Sequence, residues 1–391
     1  MNYLNGLFTM RKKKWLFGSL LVFLAAVLAG CQSIGFYKQA ISGQMEMLSH
    51  QQPLPELINN PDTPQKLKEK FRLVLALRQF AETKLDLPAG KHYLNYVDLH
   101  RSNAVWNIYA APELSLRPTS WWFPVVGSVT YRGYFSETAA NAYASKMRRK
   151  GLDVYVGGVD AYSTLGWFND PVLNTFIGDS ERGLASLIFH ELAHQRVFIS
   201  GDTEFNEAFA TAVAEEGLRR WLIEKNDPAA LEKYQMELAR KKQFVTLIRK
   251  ARGQLESIYG ESDSGKTQAP PSKPDSVMRE QKKLVLQKLR EDYAQLKKEW
   301  GGYSGYDEWF DGPLNNAQLN TIATYYDLVP AFHQLIAQEG GQLGKFFLHA
   351  KIFSGMSKEK RHRALSNITI SGADSFFAPP PLTKKAGVLP M

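Results

Sequence analysis

The stretch LIFHELAHQRVFISGDTEFNEAFAT, from Leu187 to Thr211, decides how the rest of the chain is interpreted. His190 and His194 lie four residues apart, with Glu191 between them. On a helix, residues i and i+4 lie one above the other, so both imidazoles project from one face and can bind the same ion. Glu191 lies next to His190, where its carboxylate can take a proton from a water on that ion.

An ordinary amphipathic helix is the alternative interpretation of these residues. The flanking residues in ASLIFHELAHQRVF are apolar, which predicts a mostly buried helix, where unpaired polar groups cost free energy. A metal ion bound by the imidazoles removes that cost. The HExxH arrangement is the one found in zinc metallopeptidases, and we therefore expect Zn²⁺ as the cofactor.

A catalytic zinc ion needs three protein ligands and an open fourth position. A continuation with a third histidine fails, because Val197 and Ser200 stand at the two positions that it requires. The downstream acids are Asp202, Glu204 and Glu207. Only Glu207 lies within the strongly helical FNEAFATAVAEEGLRRWL, and it resembles the third ligand of the gluzincins, HExxH enzymes with a glutamate on the next helix. Glu204 is the second candidate.

Two features depart from the gluzincin pattern. Twelve residues separate His194 from Glu207, so the connection between the two helices must be tight, and Gly201 is suited to the turn. In gluzincins an acid four residues after the ligand glutamate orients the first histidine, whereas Thr211 stands at that position here. Glu215 or a backbone carbonyl can take this role instead.

Five further motifs extend the resemblance: NIYAAPELSLRP, FPVVGSVTYRGYF, GGVDAYSTLGWFNDP, NNAQL and ATYYDLVPAF. With HELAHQ and FNEAFAT, they are similar to a family of bacterial lipoproteins named putative aminopeptidases, from about Tyr37 to about Leu365. The resemblance implies zinc-dependent hydrolysis of peptide bonds at the cell envelope, with a peptide as the substrate.

The resemblance also suggests where a substrate binds. In zincin folds a strand before the metal helix pairs with an extended peptide, and YVGGVDAYSTLG is the candidate here. Gly157 and Gly158 would allow close backbone approach, and a β-bulge is the alternative explanation for them. An aminopeptidase also needs an acid for the free amine, for which Asp160 is the first choice and Glu204 the second.

A hydrogen-bond donor for the oxyanion is the last requirement. Gluzincins commonly draw a tyrosine or a histidine from the helices after the ligand glutamate. Tyr325, Tyr326 and His333 are available, and Tyr325 is the first choice. A set of core aromatic residues is the alternative.

The first thirty residues resemble an export signal. Residues 11–14 are basic, and the apolar run WLFGSLLVFLAAVLAG that follows ends at the only cysteine of the chain. LAGC resembles a bacterial lipobox, in which Cys31 is lipidated; a plain anchor helix is the alternative. A lone cysteine has no internal disulfide partner. Gln32 after it favours the periplasmic face of the outer membrane over the inner membrane, and Met10 is a second candidate start.

The formal net charge of +9 includes the four basic residues of this signal, so the rest of the chain is only mildly basic. It shows no basic stripe interleaved with aromatic residues. Nucleic acid is therefore not expected as a partner.

The hydrophobic periodicity predicts an α+β fold. Helices are predicted from Ile34 to Ser49, from Thr63 to about Lys84, and from Ser136 to about Lys150, and strands for HYLNYVDL, AVWNIYAA, VVGSVTYRGYF and LDVYVGGV. Beyond Pro228 two long patterns predict an antiparallel helical hairpin, followed by a helical block from Asn315 to about Leu365. We expect a zincin-like fold with a small mixed sheet, an active-site helix and a mainly helical C-terminal part.

Changes in composition divide the chain into five parts. These are a signal peptide (1–30), a metal-binding α+β part (31–225), a helical hairpin (226–300), a helical part completing the active site (301–365) and a tail without regular structure (366–391).

Three functions remain open at this point. The first is a zinc aminopeptidase, the second an envelope endopeptidase, and the third a non-catalytic assembly or binding lipoprotein on a zinc-protease fold. Glu191 favours an enzyme, because a scaffold has no use for a general base.

Overall fold

The computed structural model describes residues 35–123, 127–161, 169–261 and 273–371. Cys31, the loop between the hairpin helices and the end of the chain lie outside these residues. The helices, in chain order, are α1 (35–49), α2 (Leu54–Asn59), α3 (Gln65–Lys84), α4 (Glu137–Arg149), α5 (Asn174–Ile177), α6 (Glu181–Arg196), α7 (Thr203–Glu224), α8 (Pro228–Tyr259), α9 (Asp275–Glu299), α10 (Asp307–Phe310), α11 (Asn316–Tyr326), α12 (Val329–Gln338), α13 (Leu343–Ser354) and α14 (Lys358–Ser371).

The strands are short and form three small sheets. They are β1 (Gln52–Pro53), β2 (Asn95–Val97), β3 (Val105–Pro112), β4 (Trp121–Phe123), β5 (Gly127–Val129), β6 (Arg132–Tyr134), β7 (Leu152–Val159) and β8 (Val172–Leu173). The order β1-β2-β8 makes a mixed sheet, β6-β3-β7 an antiparallel sheet, and β4-β5 a hairpin. The α+β prediction is confirmed, with the strand residues divided among three sheets rather than gathered into one.

The prediction of a single strand in VVGSVTYRGYF is wrong. Gly127 has φ +76°, which only glycine adopts readily, and the chain turns again before Arg132. As a result β5 pairs with β4, while β6 pairs with β3. The run therefore supplies two sheets.

The antiparallel sheet positions one wall of the site. Alternate residues of β3 point to opposite faces. Trp106 and Ile108 pack with α4 on one face, and Tyr109 and Ala111 contact α11 through Ala317 on the other. The sheet is thus buried on both faces, which explains why this strand reads as an almost continuous apolar run.

Helices α6 and α7 lie at the centre of the main core. Gly217 allows them to approach closely, because a Cβ there would lie 2.8 Å from the Phe189 ring and 2.9 Å from Leu85. Ser180 caps α6 by accepting a hydrogen bond from the Gly183 amide. The two helices that carry the HExxH motif and Glu207 therefore pack directly against each other.

The long helices α8 and α9 form the predicted antiparallel hairpin. Lys250 pairs with Asp292 at 3.8 Å, and directly after α9 Trp300 donates to Gln243, so the helices run in opposite directions. The hairpin has a core of its own, in which Phe244 stacks on a tyrosine of the following loop, Tyr306.

The helical block after the hairpin is also present, as α11 to α14. Helix α14 continues to Ser371. The predicted start of the unstructured tail, residue 366, is therefore too early. Within the part of the chain that the structure describes, every helix is too short or too polar to cross a membrane.

Candidate metal centre

His190, His194 and Glu207 come together where α6 and α7 pack. The Nε2 atoms of the two histidines are 3.2 Å apart, and Glu207 Oε2 lies 3.3 Å from His190 Nε2 and 3.8 Å from His194 Nε2. The side chains of His194 and Glu207 are almost fully enclosed, and His190 is slightly more open. The three residues predicted as ligands are thus brought to one point, open on the His190 side.

The separations of these atoms fit one small cation. Zinc binds imidazole and carboxylate ligands at about 2.0–2.1 Å, and the edge of a tetrahedron of that radius is about 3.3–3.4 Å. The observed distances of 3.2, 3.3 and 3.8 Å lie close to this edge. Two nitrogens and one oxygen form a donor set that zinc prefers, and three protein ligands leave a fourth position open.

Burial and mutual charge set the protonation of the three groups. Burial lowers the pKa of His194 to about 4, which keeps its imidazole neutral and able to bind a metal. Burial also lowers the pKa of His190, but the hydrogen bond and charge of Glu207 outweigh it, and the pKa rises. Burial raises the pKa of Glu207, and the two histidines overcome this and lower it, so the carboxylate is ionised.

Glu191 lies beside the centre on the same helix, next to a buried phenol. Burial raises the pKa of Tyr93, and the negative charge of Glu191 raises it further. The same negative charge also raises the pKa of His190. Glu191 is therefore close to both residues, with Tyr93 fully protonated at neutral pH.

The short connection between α6 and α7 is held by the residue before the ligand glutamate. The Asn206 side chain accepts a hydrogen bond from the Ile199 amide at 2.8 Å and donates one to the Ile199 carbonyl at 2.8 Å. Gly201 makes the turn at φ +80°, as its position in the sequence suggests. This clamp fixes the distance between the histidines and Glu207.

A second set of contacts holds the N-terminus of α7, the helix that carries Glu207. Asp202 is buried and caps α7 by accepting from the Phe205 amide at 3.2 Å. Arg361 and His362 on α14 also contact its carboxylate, at 2.6 Å and 2.9 Å. These contacts join the C-terminal helix of the described chain to the N-terminus of the helix that carries Glu207.

Glu204 belongs to this second set of contacts and lies apart from His190, His194 and Glu207. Its carboxylate is 3.4 Å from Lys358 Nζ and 3.5 Å from His362 Nδ1. Asp202, Glu204 and His362 are close enough together to hold an ion. However, Arg361 and Lys358 already neutralise these carboxylates, so a cation gains little there.

Tyr325 lies on α11 beside the metal centre. The charge of Glu207 contributes to the strongly raised pKa of its phenol, after the larger effect of burial. Tyr325 also hydrogen-bonds to Tyr109 of β3, whose pKa rises to about 12 on burial. Tyr325 therefore lies near enough to Glu207 to feel its charge, and its role as the oxyanion donor stays a prediction.

Tyr109 is a site residue that the sequence analysis missed. Its ring lies 5.9 Å from that of Tyr131 and 6.1 Å from that of Tyr155. Together with Tyr325 these residues form a row of phenols, which we call the tyrosine wall. Tyr109 and Tyr325 are the two members near enough to Glu207 for its charge to raise their pKa. Tyr109 lies within the motif NIYAAPEL, but the periodicity of a β-strand does not show which helix packs on that strand.

Glu215 and His333 form a buried network two turns further along α7. Glu215 accepts from Lys241 at 2.8 Å and contacts His333 Nε2 at 2.6 Å. Glu215 is thereby engaged away from the metal histidines, and His333 is not free to act as an oxyanion donor. Lys241 lies near enough to His190 for its positive charge to lower the pKa of that imidazole.

This network makes stability depend on pH. Burial raises the pKa of Glu215, but Lys241 and His333 overcome this and lower it from 4.5 to about 2. A depressed carboxylate pKa stabilises the fold above the unfolded pKa, and this contribution is lost as the pH falls from about 4.5 toward 2. Glu215→Gln should lower the free energy of unfolding at pH 7 by about 3 kcal/mol and flatten its acid dependence.

Denaturant unfolding at several pH values measures this effect. Glu224→Gln is the matched control, because Glu224 is on the same helix with an exposed partner, Lys84, at 3.0 Å. Equal stability of the Glu215→Gln variant and the parent chain at pH 7 would contradict the network's role.

The residues predicted to bind substrate include Asp160, the first choice for the acid that holds the free amine. Asp160 is close to Asp179, whose charge raises its pKa after the larger effect of burial. Asp179 precedes α6, whereas His190 comes about three turns later, roughly 16 Å along the axis. Asp160 thus lies near the start of α6, and its role as the acid for a substrate's amine stays a prediction.

Packing within the fold accounts for a glycine at position 158. A Cβ there would lie 2.3 Å from the Asn103 side chain, so the space beside this glycine is already filled. Gly158 pairs with Trp106 and Gly157 with Asn107, in a regular register without a bulge. The strand β7 is nevertheless an edge of its sheet, and the rest of the predicted substrate segment lies outside the described residues.

The site and the fold together define an α+β protein with a candidate metal centre built from HExxH and a glutamate on the following helix. The chain belongs to the family described as "Putative aminopeptidase", whose model matches residues 35–365. Membership of this family suggests peptidase activity and peptide substrates. No curated protein and no solved structure matches the chain significantly.

Proposed function

We propose that the protein is a zinc-dependent peptidase, with aminopeptidase action as the first candidate. The observation that carries the proposal is the convergence of His190, His194 and Glu207 at tetrahedral separations, with Glu191 beside them. Family membership supports a peptide substrate. The helix pair that carries these four residues supports a zincin-like arrangement as part of the proposal.

The residues of the chain have separate tasks in this proposal. His190, His194 and Glu207 would hold Zn²⁺, which supplies Lewis-acid polarisation and lowers the pKa of a water. Glu191 accepts the proton of the attacking water and passes it to the leaving amine. The Tyr325 phenol stays protonated because its pKa is raised, so it can donate to the developing oxyanion.

Tyr325→Phe should lower kcat by about 10²-fold and change KM little, because the lost hydrogen bond strengthens only in the transition state. Steady-state kinetics with one good peptide substrate measure both constants. Tyr326→Phe is the matched control, since Tyr326 is the next residue and its ring instead faces Lys241. A larger loss of kcat in the Tyr326→Phe variant would instead assign the oxyanion donor to Tyr326.

Endopeptidase action is the second candidate, and the charges near the centre favour it. An aminopeptidase needs an acid that binds the protonated amine of its substrate, and Asp160 lies near the start of α6 instead. Lys241 is a cation close to His190 and repels such an amine, although Glu215 partly neutralises it. Hydrolysis of one peptide with a free and with an acetylated N-terminus separates the candidates: only an endopeptidase cleaves both.

We also propose that a lipid on Cys31 anchors the protein at the periplasmic face of the outer membrane. The lipobox-like LAGC and the absence of any other cysteine in the sequence support it. Cys31→Ser should abolish lipid labelling and release the protein from the membrane fraction, because acyl chains supply the binding free energy. Retention of the variant in membranes would instead indicate an uncleaved apolar anchor.

A further inference from the structure

Helix α1 exposes a row of large apolar side chains. Tyr37, Ile41 and Met45 are 43%, 63% and 57% exposed, and they follow one another at four-residue spacing. This spacing places them along one face of the helix. We call this row the α1 stripe. Lys38 and Ser42 flank it and are also exposed.

The opposite face of α1 is fixed to the body of the protein. Gly43 packs so closely on the ring of Phe135 that a Cβ would lie 2.2 Å from it. The Gln39 side chain accepts a hydrogen bond from the Phe135 amide at 2.8 Å, and Met47 is buried. The outward direction of the α1 stripe is therefore a property of the fold and not of a loose helix.

The position of α1 in the chain indicates what covers the stripe. The first described residue of the helix is residue 35, four residues after Cys31. Four residues of extended chain span at most about 14 Å. A lipid on Cys31 would thus hold the first turn of α1 within reach of the bilayer surface.

We propose that the α1 stripe lies on the phospholipid bilayer that holds the lipid of Cys31. Tyr37, Ile41 and Met45 enter the boundary between headgroups and acyl chains, and the Lys38 ammonium binds a lipid phosphate. The proposal rests on the lipid anchor of the proposed function. It adds a second membrane contact. A single acyl chain binds a bilayer only reversibly, and a second contact makes the attachment much more stable.

The second contact fixes how the enzyme faces the membrane. Phe36 of α1 lies 5.4 Å from the ring of Tyr134 on β6, and β6 pairs with β3, the strand that carries Tyr109 in the tyrosine wall. The packed layers between the stripe and the metal centre are therefore continuous. A body held at both points stays close to the bilayer instead of moving freely on a tether.

Site-specific fluorescence quenching tests the proposal on the full-length lipidated protein. Because Cys31 is the only cysteine and its thiol is consumed by lipid, an introduced cysteine can carry a single label. Ile41→Cys reports on the α1 stripe, and Met45→Cys is a second reporter. Leu284→Cys on α9 is the matched control, because Leu284 and Ile41 are both 63% exposed.

Each labelled protein is reconstituted into vesicles of phosphatidylethanolamine and phosphatidylglycerol that contain acyl-brominated lipid. Labels at positions 41 and 45 should be quenched by about twofold or more, and the label at 284 should be unaffected. Labels at 41 and 45 that respond as the control does would overturn the membrane contact. Protection of position 41 from both brominated lipid and aqueous iodide would also overturn it, and would indicate a protein on the stripe.

The mass of the N-terminal peptide shows whether Cys31 carries lipid. Failure of the α1 contact can therefore be distinguished from failure of the anchor. Unquenched labels on a chain shown to carry lipid would overturn the α1 contact and leave the anchor intact. A chain without lipid would overturn the anchor, and the contact with it. Peptidase activity of the labelled variants should equal that of the parent chain, because the stripe lies outside the metal centre.

Discussion

Glu191→Gln should lower the turnover of peptide hydrolysis by about 10²-fold or more, the usual effect of losing a positioned general base. Glutamine has nearly the same size and keeps hydrogen-bonding capacity, but it cannot accept the proton of the attacking water. Glu191 is not among the three residues whose donor atoms converge, so the metal content should stay that of the parent chain. Turnover and metal content are measured on the same purified sample.

Glu224→Gln is the control for this substitution. Glu224 ends α7 and is half exposed beside Lys84, so its loss should change turnover by less than about twofold. A Glu191→Gln variant that keeps both its metal and full activity would show that another group is the base. A variant that loses its metal would instead show that Glu191 supports the ligands.

Removal of any of the three ligands should have the second large effect. His190→Ala, His194→Ala and Glu207→Ala each leave two protein ligands, and a site of two cannot hold zinc tightly. Zinc affinity should fall by more than the roughly 10–100-fold seen when an outer hydrogen-bond partner is lost. Titration with a chromophoric chelator measures the affinity, and turnover should be lost in parallel.

The Glu207 variant carries the most information among the three. Glu207 is the ligand inferred from helical context rather than from the HExxH spacing. Unchanged zinc affinity in Glu207→Ala would reassign the third ligand, and Glu204 would then be the next residue to replace. The contacts of Glu204 with Lys358 and His362 make that outcome unexpected.

The convergence of the three candidate metal ligands could be predicted because their geometry is local. His190 and His194 are related by one helical turn, and Glu207 follows on the next helix after a turn that Gly201 and Asn206 hold. The antiparallel hairpin was equally visible, since the periodicity of a long amphipathic helix is a strong signal. In both cases the residues lie on one helix or on two helices that follow each other in the chain.

The contacts between distant segments could not be predicted in the same way. Tyr109 meets Tyr325, and Glu215 meets His333, only because helices from the C-terminal half pack on the sheet and on α7. A single sequence contains the residue types but not these pairings. The role of Asp160 stays a prediction for the same reason, because a strand's order in the chain does not give its distance from the helix that carries the HExxH motif.

Metal analysis combined with peptide hydrolysis by the purified chain tests the central claim most directly. The proposed mechanism predicts one zinc ion per chain, hydrolysis of peptides with a free N-terminus, and loss of both when a chelator removes the metal. Restored activity on adding zinc back would complete the result. A folded chain that binds zinc stoichiometrically, yet cleaves neither free nor N-acetylated peptides, would contradict the claim and favour a non-catalytic binding lipoprotein.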